Sequence, residues 1–358
     1  MADQTRSYRI ATIPGDGIGR EVMPEGIKVL EAAGRRFGFS LQFDEFDWSC
    51  DTYKATGRMM PADGLKQIRH HDAIYLGAVG WPGVPDHISL WGLLIPIRRE
   101  FRQYINLRPV RLMKGVPCPL AGRGPEDIDY WIVRENNEGE YSEIGGRLYK
   151  GTDEEIAMQQ AVFTRKGVDR VIRYAFDLAL TRRHRRLASA TKSNGIIHTM
   201  PLWDERLRVI GDEYREVFVS EYHIDILCAH LVRNPDRFSV IVASNLFGDI
   251  LSDLGPATAG TIGIAPSANL NPERNYPSMF EPVHGSAPDI AGQGIANPIG
   301  QVWSGAMMLE HMGEREAGHA IVAAIEDLLA NHDIRTPDMG GRASTRELGD
   351  ALAAIVKG

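Results

Sequence analysis

The sequence predicts an α/β protein built on an open, largely parallel sheet. Short β-branched runs alternate with longer helical patterns, beginning with a strand at 9–13 and a helix at 21–34. A second series occupies the middle of the chain, with strands at 130–133, 187–191 and 239–243. Such alternation is typical of parallel sheets whose crossover connections are helices.

Residue periodicity gives the remaining elements in order. They are a strand at 41–46, a helix at 63–70, a strand at 73–76, a helix at 93–104 and a helix at 165–181. The chain then passes through Gly- and Pro-rich loops into two final helices, at 314–331 and 345–357.

Two lobes are expected, because 358 residues exceed the usual size of a single core. We predict a discontinuous first lobe (1–103 plus 260–358) that binds the cofactor and a central second lobe (104–259). Residues 139–164 have the alternation of a hairpin, with Gly145-Gly146 as its turn. This hairpin is expected to form an arm that pairs with a partner subunit.

Composition excludes several function classes. Acidic residues outnumber basic ones, 47 against 40, so a general nucleic-acid-binding surface is not expected. The three cysteines are far apart and form no metal-binding pattern, which indicates reduced thiols in the cytoplasm. The chain has no signal-like start and no run of about 18 apolar residues, so neither export nor a membrane is expected.

The glycine-rich start follows a strand and opens a helix. Gly15, Gly17 and Gly19 are spaced G-x-G-x-G, whereas the dinucleotide-binding fingerprint has its third glycine one place later. The segment therefore does not indicate a standard Rossmann fold. A tight turn that leaves room for a nearby ligand and a direct cofactor contact both remain open.

Asp249 and Asp253 lie four residues apart in a predicted helix, on one face. Two like charges there repel each other, and a cation would remove that penalty. An isolated pair of this kind is more often a solvated acidic face, but the other residues of this helix are strongly apolar. We therefore predict a site for Mg²⁺ or Mn²⁺, which prefer oxygen ligands, with Asp225 as a third acid able to complete it.

Three arginines and two proton-transfer candidates complete the set. Arg98, Arg108 and Arg134 can present planar forks to carboxylates, and a dicarboxylate needs more than one. Lys192 follows a strand end, a usual position for ligand contacts in open sheets. Tyr141 and Lys192 are each more often surface residues when considered singly. Arg99, Arg102 and the run 182–186 are interpreted as solvated.

Six segments together resemble the β-decarboxylating dehydrogenases, in the right order over nearly the whole chain. They are PGDGIG (14–19), NLRP (106–109), VREN (133–136), TKSN (191–194), NLFGDILSD (245–253) and EPVHGSAPD (281–289). Residues 85–92 and 261–273 look most like the tartrate/D-malate branch. The resemblance implies an isopropylmalate dehydrogenase-like, two-lobed, three-layer α/β/α fold.

The resemblance also implies roles for individual residues. The three arginines would hold a small 2-hydroxy diacid, Asp249 and Asp253 would bind the metal, and Asp225 and Lys192 would come from the other subunit of a homodimer. Lys192 would take the hydroxyl proton and Tyr141 would protonate the enolate carbon. The cofactor would be bound by His284, Gly285, Ser286, Ala287, Asp289 and Asn297, with Asn194 and Ile13.

NAD is favoured over NADP, since the charge of Asp289 would repel a 2′-phosphate. A monovalent cation such as K⁺ is a further cofactor that the resemblance allows, and the sequence does not decide whether it is required. Leu94, one turn before Arg98, offers no charge to a third carboxylate, which disfavours isocitrate and leaves isopropylmalate as the runner-up substrate. A catalytically silent nucleotide-binding protein is the alternative of another class. Pro96 is expected to disturb the helix that carries Arg98.

Overall fold

The computed structural model describes residues 6–358, which divide into two compact units. Unit 1 comprises the chain up to Gln103, Leu112–Ala121 and Ala259–Gly358, and unit 2 comprises Tyr104–Arg111 and Gly122–Thr258. Residues 112–121, predicted to lie in the second lobe, belong to unit 1. The backbone at Gly115 packs there so closely that a Cβ atom would lie 1.9 Å from the Leu329 carbonyl oxygen.

The helices and strands of the described chain follow in order. The first half contains β1 (Arg6–Gly15), α1 (Gly19–Phe37), β2 (Phe39–Glu45), α2 (Cys50–Thr56), α3 (Gly64–Ile68), β3 (Ala73–Ala78), α4 (Asp86–Ser89), α5 (Ile95–Glu100), β4 (Ile105–Arg111), β5 (Asp129–Glu135), β6 (Gly145–Leu148), β7 (Ile156–Gln159) and α6 (Arg165–Thr181). The second half contains β8 (Arg186–Thr191), α7 (Thr199–Gly211), β9 (Phe218–His223), α8 (Ile224–Arg233), β10 (Val240–Ala243), α9 (Asn245–Thr258), β11 (Pro266–Leu270), β12 (Ser278–Pro282), α10 (Ile299–Met312), α11 (Arg315–Asn331) and α12 (Thr345–Lys357).

Unit 1 contains five strands in the order β2-β1-β3-β12-β11. All pairings within it are parallel except β11 with β12. Every residue of β3 is buried, as expected for a strand covered on both faces. Its core includes Ile13, Leu76 and Met279, each no more than 1% exposed.

Five of the strands in unit 2 are paired in the order β4-β5-β10-β8-β9, and among these pairings only β4 with β5 is antiparallel. The four residues of β10 are buried between β5 and β8. Helix α6 begins where the Thr164 hydroxyl accepts a hydrogen bond from Gly167 N (3.0 Å), a normal N-cap. The predicted α/β class with an open, mostly parallel sheet is confirmed.

Strands β6 and β7 form a separate two-stranded antiparallel sheet, and all their residues are exposed. Gly145-Gly146 is not the turn, contrary to the prediction, but lies within β6. A Cβ atom at Gly145 would lie 2.2 Å from the Met158 carbonyl oxygen, so close approach of the strands requires glycine there. The chain reverses after β6, where Tyr149 and Gly151 have positive φ.

Within residues 6–358, no helix is both long and apolar enough to cross a membrane.

Candidate active site

Helix α9 carries Asp249 and Asp253, and two glycines let it lie close to β4 and β5. A Cβ atom at Gly248 would lie 2.6 Å from Arg134 Cβ, and one at Gly255 would lie 2.8 Å from Val110 Cγ2. The two carboxylates therefore sit one helical turn apart beside the arginines of these strands. Their side chains are 35% and 61% exposed, so both are open to a ligand.

Arg134, on β5, is held by α9 at both ends of its guanidinium group. Its Nε and Nη2 donate to Asn245 Oδ1 (3.0 and 2.7 Å), and its Nη1 donates to Asp249 Oδ1. The Asn245 side chain, at the first residue of α9, thus orients an arginine. Arg134 is buried, so this pairing fixes the direction of its fork.

Arg108, on β4, reaches the next turn of α9. Its Nη1 donates to Ser252 Oγ (2.7 Å) and to Asp253 Oδ1 (3.3 Å), while Nη2 lies 3.8 Å from Asp249 Oδ1. The guanidinium therefore faces both carboxylates. Burial raises the pKa of Asp253, and the neighbouring Arg108 opposes that rise.

Tyr141 completes this group, which we call the α9 cluster (Arg108, Arg134, Tyr141, Asp249 and Asp253). Its hydroxyl donates to Asp249 Oδ2 (2.8 Å), and its ring centre lies 5.5 Å from Arg134 Cζ. Burial, followed by the hydrogen bond to Asp249, raises the pKa of Tyr141. The hydroxyl thus keeps its proton at neutral pH, as a proton donor must.

Lys192 and Asp225 form a separate pair in the same unit. Lys192 follows β8, Asp225 lies in the first turn of α8, and their Nζ and Oδ2 atoms are 3.0 Å apart. The hydrogen bond from Lys192 lowers the pKa of Asp225. Residues 6–358 contain no group of three His, Cys, Asp or Glu side chains that could hold a metal. Asp225 therefore does not complete the Asp249–Asp253 site within one chain, because its carboxylate turns to Lys192 instead.

Arg98 lies in unit 1 on α5, a helix that differs from the predicted one. A π-helical turn at Leu90–Leu94 precedes α5, and Pro96 falls in the first turn of α5. Pro96 has no backbone N–H to donate. The π turn before it accommodates this loss, so the chain stays helical. The predicted extension to residue 104 is wrong, since α5 ends at Glu100 and Arg102 has φ 48°.

The Arg98 guanidinium is occupied by a carboxylate of its own unit. Nη2 lies 2.9 Å from Glu281 Oε1, which also accepts from Asn269 Nδ2 (2.7 Å). The side chains of Arg98 and Glu281 are only 12% and 10% exposed. Leu94 packs against the unit 1 core. A substrate carboxylate would have to compete with Glu281 for Arg98.

The glycine-rich turn in unit 1 packs directly on the segment expected to hold the cofactor. Gly17 has φ 53°, and a Cβ atom there would lie 2.1 Å from the Ser286 carbonyl oxygen. Ile18 N donates to that same oxygen (2.9 Å). This contact favours the first of the two interpretations, a tight turn. The turn packs against the segment that is expected to hold the cofactor. The Ile13 side chain is fully buried in β1, so a ligand cannot reach it in this conformation.

Hydrogen bonds within the segment 284–289 and from it to Gly80 hold the segment in place. His284 Nδ1 lies 3.0 Å from the Gly285 carbonyl oxygen, and burial lowers the pKa of His284, so its ring is neutral at pH 7. Ser286 Oγ donates to the Gly80 carbonyl, and Ala287 adopts a positive φ of 41°. Asp289 is exposed at the end of the segment.

Asn297, also in unit 1, is held by its neighbours. Its Nδ2 donates to Asp338 Oδ2 (3.1 Å), and its Oδ1 accepts from Ile299 N (3.0 Å). Asn194 belongs to unit 2 and is exposed in the turn that follows Lys192. Most of the residues expected at the cofactor are thus gathered in unit 1.

Comparison with known proteins identifies the family. Residues 9–352 match the isocitrate/isopropylmalate dehydrogenase family. The chain belongs to this family. It is 60% identical to the D-malate dehydrogenase [decarboxylating] of Escherichia coli (strain K12), over 98% of this chain and 99% of that protein. It is 59% identical to the tartrate dehydrogenase/decarboxylase of Pseudomonas putida, over 97% of each. The predicted family, and its tartrate/D-malate branch as the nearest resemblance, are confirmed.

A solved structure gives the same result for the fold. The isocitrate dehydrogenase from Methylococcus capsulatus superposes on this dehydrogenase with a TM-score of 0.88 at 34% identity, covering 98% of this chain and 100% of the other. The isopropylmalate dehydrogenase-like fold predicted from the motifs is thereby confirmed.

The carboxylate oxygens of this dehydrogenase are the kind of ligand that a divalent cation prefers. The described residues of one chain do not bring together three such side chains. Asp249 and Asp253 offer hard carboxylate oxygens, which Mg²⁺ and Mn²⁺ prefer. Arg108 and Arg134 neutralise the same oxygens here. A cation would bind more readily once a diacid engages the arginine forks and adds its own oxygens.

The sequence patterns did not reveal several residues that organise the site. Asp16 lies buried inside the glycine-rich turn, where its carboxylate accepts from Cys50 N and Gly80 N (both 2.9 Å). Ser252 and Glu281 hold the arginines described above. Asp16 carried a signal, since an acid placed between two glycines next to a buried strand needs hydrogen-bond donors around it.

Proposed function

We propose that this dehydrogenase uses NAD and Mn²⁺ or Mg²⁺ to oxidise D-malate, tartrate or both, and that it converts D-malate to pyruvate and CO₂. The observation that carries the proposal is the α9 cluster, in which two buried arginine forks face two carboxylates and a tyrosine hydroxyl. A diacid needs such forks, and a divalent ion needs such carboxylates. The relatives at about 60% identity carry names for the same chemistry.

The substrate side of the proposal assigns the arginines first. Arg108 and Arg134 bind the substrate carboxylates, and Arg98 contributes a third fork after release from Glu281. Asp249 and Asp253 hold the cation, which when bound supplies the positive charge that stabilises the electrons released as CO₂ departs.

The proton transfers follow from the same residues. Lys192 takes the proton of the C2 hydroxyl, directly or through a water molecule, and the nicotinamide, when bound, would supply the acceptor for the hydride of C2. The keto acid then loses CO₂, and Tyr141 donates a proton to the enolate carbon. One hydride leaves and one proton moves from oxygen to carbon, which balances D-malate and NAD against pyruvate, CO₂ and NADH.

The cofactor is assigned to unit 1. His284, Gly285, Ser286, Ala287 and Asn297 bind the adenosine part of NAD, and Asp289 accepts the ribose hydroxyls. The exposed carboxylate of Asp289 supports NAD over NADP, because it would repel a 2′-phosphate. Asn194 contributes from unit 2, and Ile13, whose side chain is buried, contributes only through its backbone. We place the reaction in the cytoplasm and assign no residue to a monovalent cation.

We propose a homodimer in which Lys192 and Asp225 of one subunit join the α9 cluster of the other. The arm (β6 and β7), α8 and α9 carry exposed apolar side chains that a monomer would leave in water. They include Leu148, Met158, Ile226, Val232 and Ile250, each at least 43% exposed. Nucleic acid and membrane are not proposed as partners.

Isopropylmalate remains a second candidate substrate on one observation. Leu94 provides an apolar side chain one turn before Arg98, as an isopropyl group would require. It already packs against the unit 1 core, however, and the relatives near 60% identity are named for D-malate and tartrate. A catalytically silent protein would leave the α9 cluster without a use.

The direct experiment follows NADH absorbance with Mn²⁺ or Mg²⁺ present. D-malate, the tartrate isomers, 3-isopropylmalate and isocitrate are offered in turn with NAD and then with NADP, and CO₂ release is measured in parallel. We expect turnover with D-malate or a tartrate and NAD. Turnover with isopropylmalate alone, or with none of the acids, would overturn the proposal.

A further inference from the structure

The segment Glu138–Tyr141, which leads from β5 toward the arm, is attached to the start of α9 at successive points. The Glu138 carbonyl oxygen accepts from Asn245 Nδ2 (3.0 Å). Two residues later Glu140 binds the first residues of α9, and the Tyr141 hydroxyl then reaches Asp249. Glu138, Glu140 and Tyr141 thus contact α9 one after another along this segment.

Glu140 makes the attachment with both carboxylate oxygens. Oε1 accepts from Ser244 Oγ (2.8 Å) and Oε2 accepts from Leu246 N (3.0 Å). The carboxylate satisfies one of the unpaired N–H groups in the first turn of a 14-residue helix, and its charge is favourable there. Within residues 6–358, no arginine or lysine forms an ion pair with Glu140. Its contacts are therefore directed at α9.

The geometry explains why a single residue can set the position of Tyr141. Glu140 and Tyr141 are adjacent, and they contact α9 at Leu246 and Asp249, three residues apart and close to one helical turn. On the other side, Gly139 exchanges both backbone hydrogen bonds with Val162 (2.7 and 2.9 Å), where the exposed arm departs. Glu140 is therefore the residue that joins the strand bridge at Gly139 to Tyr141, and its carboxylate holds this junction against α9.

We propose that Glu140 is a positioning residue, whose carboxylate fixes the Tyr141 hydroxyl against the helix that carries Asp249 and Asp253. The inference rests on the proposed function, in which Tyr141 donates a proton to carbon. The effect of Glu140 on the reaction then passes entirely through Tyr141.

The chain offers a matched control for a purely structural role. Glu138 caps another helix with the same chemistry: Oε1 accepts from Thr164 N and Oε2 from Thr164 Oγ1 (both 2.9 Å), at the start of α6. If Glu140 acted only as a helix cap, Glu138→Gln and Glu140→Gln would lower the melting temperature and the activity alike.

The experiment compares kcat and KM for D-malate in Glu140→Gln, Glu138→Gln, Tyr141→Phe and the double variant Glu140→Gln/Tyr141→Phe. We expect Glu140→Gln to lower kcat by at least about tenfold with little change in KM, since small misplacements of a reacting group are costly. Glu138→Gln should retain the wild-type kcat. The double variant should be no slower than Tyr141→Phe alone. Multiplied losses in the double variant, or an equal loss in Glu138→Gln, would overturn the inference.

Two further measurements keep the inference separate from the proposed function. If Glu140→Gln does not fold, Ser244→Ala takes its place in the experiment. It removes only one of the two contacts of Glu140 and should give a smaller loss of kcat of the same kind. A crystal structure of Glu140→Gln should have the Tyr141 hydroxyl displaced from Asp249, whether or not the wild-type protein turns over D-malate. A retained 2.8 Å contact would contradict the positioning role even if the dehydrogenase activity is established.

Discussion

The α9 cluster and the Lys192–Asp225 pair lie in the same unit but are built differently. In the α9 cluster, buried arginines are held by Asn245 and Ser252, and Asp249 contacts three other side chains. The Lys192–Asp225 pair consists of a single contact, with the two side chains 30% and 67% exposed. The first region is preorganised, whereas the second presents an amine and a carboxylate toward solvent.

This difference indicates which parts of the proposed reaction a single chain can support without a partner. The α9 cluster can receive a diacid and begin to hold a cation, because its groups already face one another. The exposed pair has the right chemistry for proton abstraction and metal binding but no such surroundings in its own chain. A homodimer that exchanges these pairs would give each region what it lacks.

The largest expected effect is at the exposed pair. Replacing Lys192 by Met removes the proposed base and should lower kcat with D-malate by about 10³-fold or more. The α9 cluster should remain intact in this variant, so Mn²⁺ titration followed by electron paramagnetic resonance should still detect binding. Near-normal turnover by Lys192→Met would remove the exposed pair from the mechanism.

Tyr141→Phe should have the next largest effect, about 10²-fold on kcat, and on a later step. A step after hydride transfer would limit the rate of this variant, so the kinetic isotope effect of D-malate deuterated at C2 should be small. In Lys192→Met the same isotope effect should be fully expressed in any residual activity. Equal primary isotope effects in the two variants would contradict the separate roles of the two regions.

Asp253→Asn tests whether the preorganised region binds the metal. The substitution replaces a charged oxygen ligand by a neutral one and should weaken Mn²⁺ binding by at least about 10–100-fold, the loss typical of changing only an outer-shell partner, as measured by paramagnetic resonance titration. The KM for D-malate at saturating Mn²⁺ should change much less, since Arg108 and Arg134 are retained. Unchanged Mn²⁺ affinity would mean that the cluster is only an ion-pair network.

The smallest expected effect lies outside both regions, at Asp289 in unit 1. Asp289→Asn removes the charge that would repel a 2′-phosphate, and the preference for NAD over NADP should fall by about tenfold. The ratio of kcat/KM for the two cofactors measures this change, with Glu316→Gln, which removes an exposed carboxylate on α11, as the control. A preference that does not move would place cofactor selection elsewhere.

Sequence patterns predicted the amphipathic and alternating elements well. The predicted bounds of α6 and α12 agree with the structure, and α12 begins with a Ser344–Glu347 capping box. Helix α10 was not predicted, because its residues are buried continuously from Ile299 to Leu309 and leave no polar face to reveal the period. The glycines of β6 were mistaken for a turn because close strand packing and turns both favour glycine.

The candidate site could be predicted in its residue types but not in its pairings. The i, i+4 spacing placed Asp249 and Asp253 on one face of a helix, as the structure has them. The pairing of Arg98 with Glu281 joins residues 183 positions apart, and no local pattern encodes it. The contact between the Asp225 and Lys192 side chains likewise depends on how β8 and α8 pack against each other.

The central claim is that Lys192 and Asp225 act on the α9 cluster of another subunit, and subunit mixing tests it most directly. Lys192→Met and Asp249→Asn should each be inactive alone. Unfolded together in equal amounts and refolded, they should regain about a quarter of the wild-type activity, since half of the dimers are hybrids and each hybrid has one intact site of two. No recovery, with hybrid dimers verified by native mass spectrometry, would contradict the account.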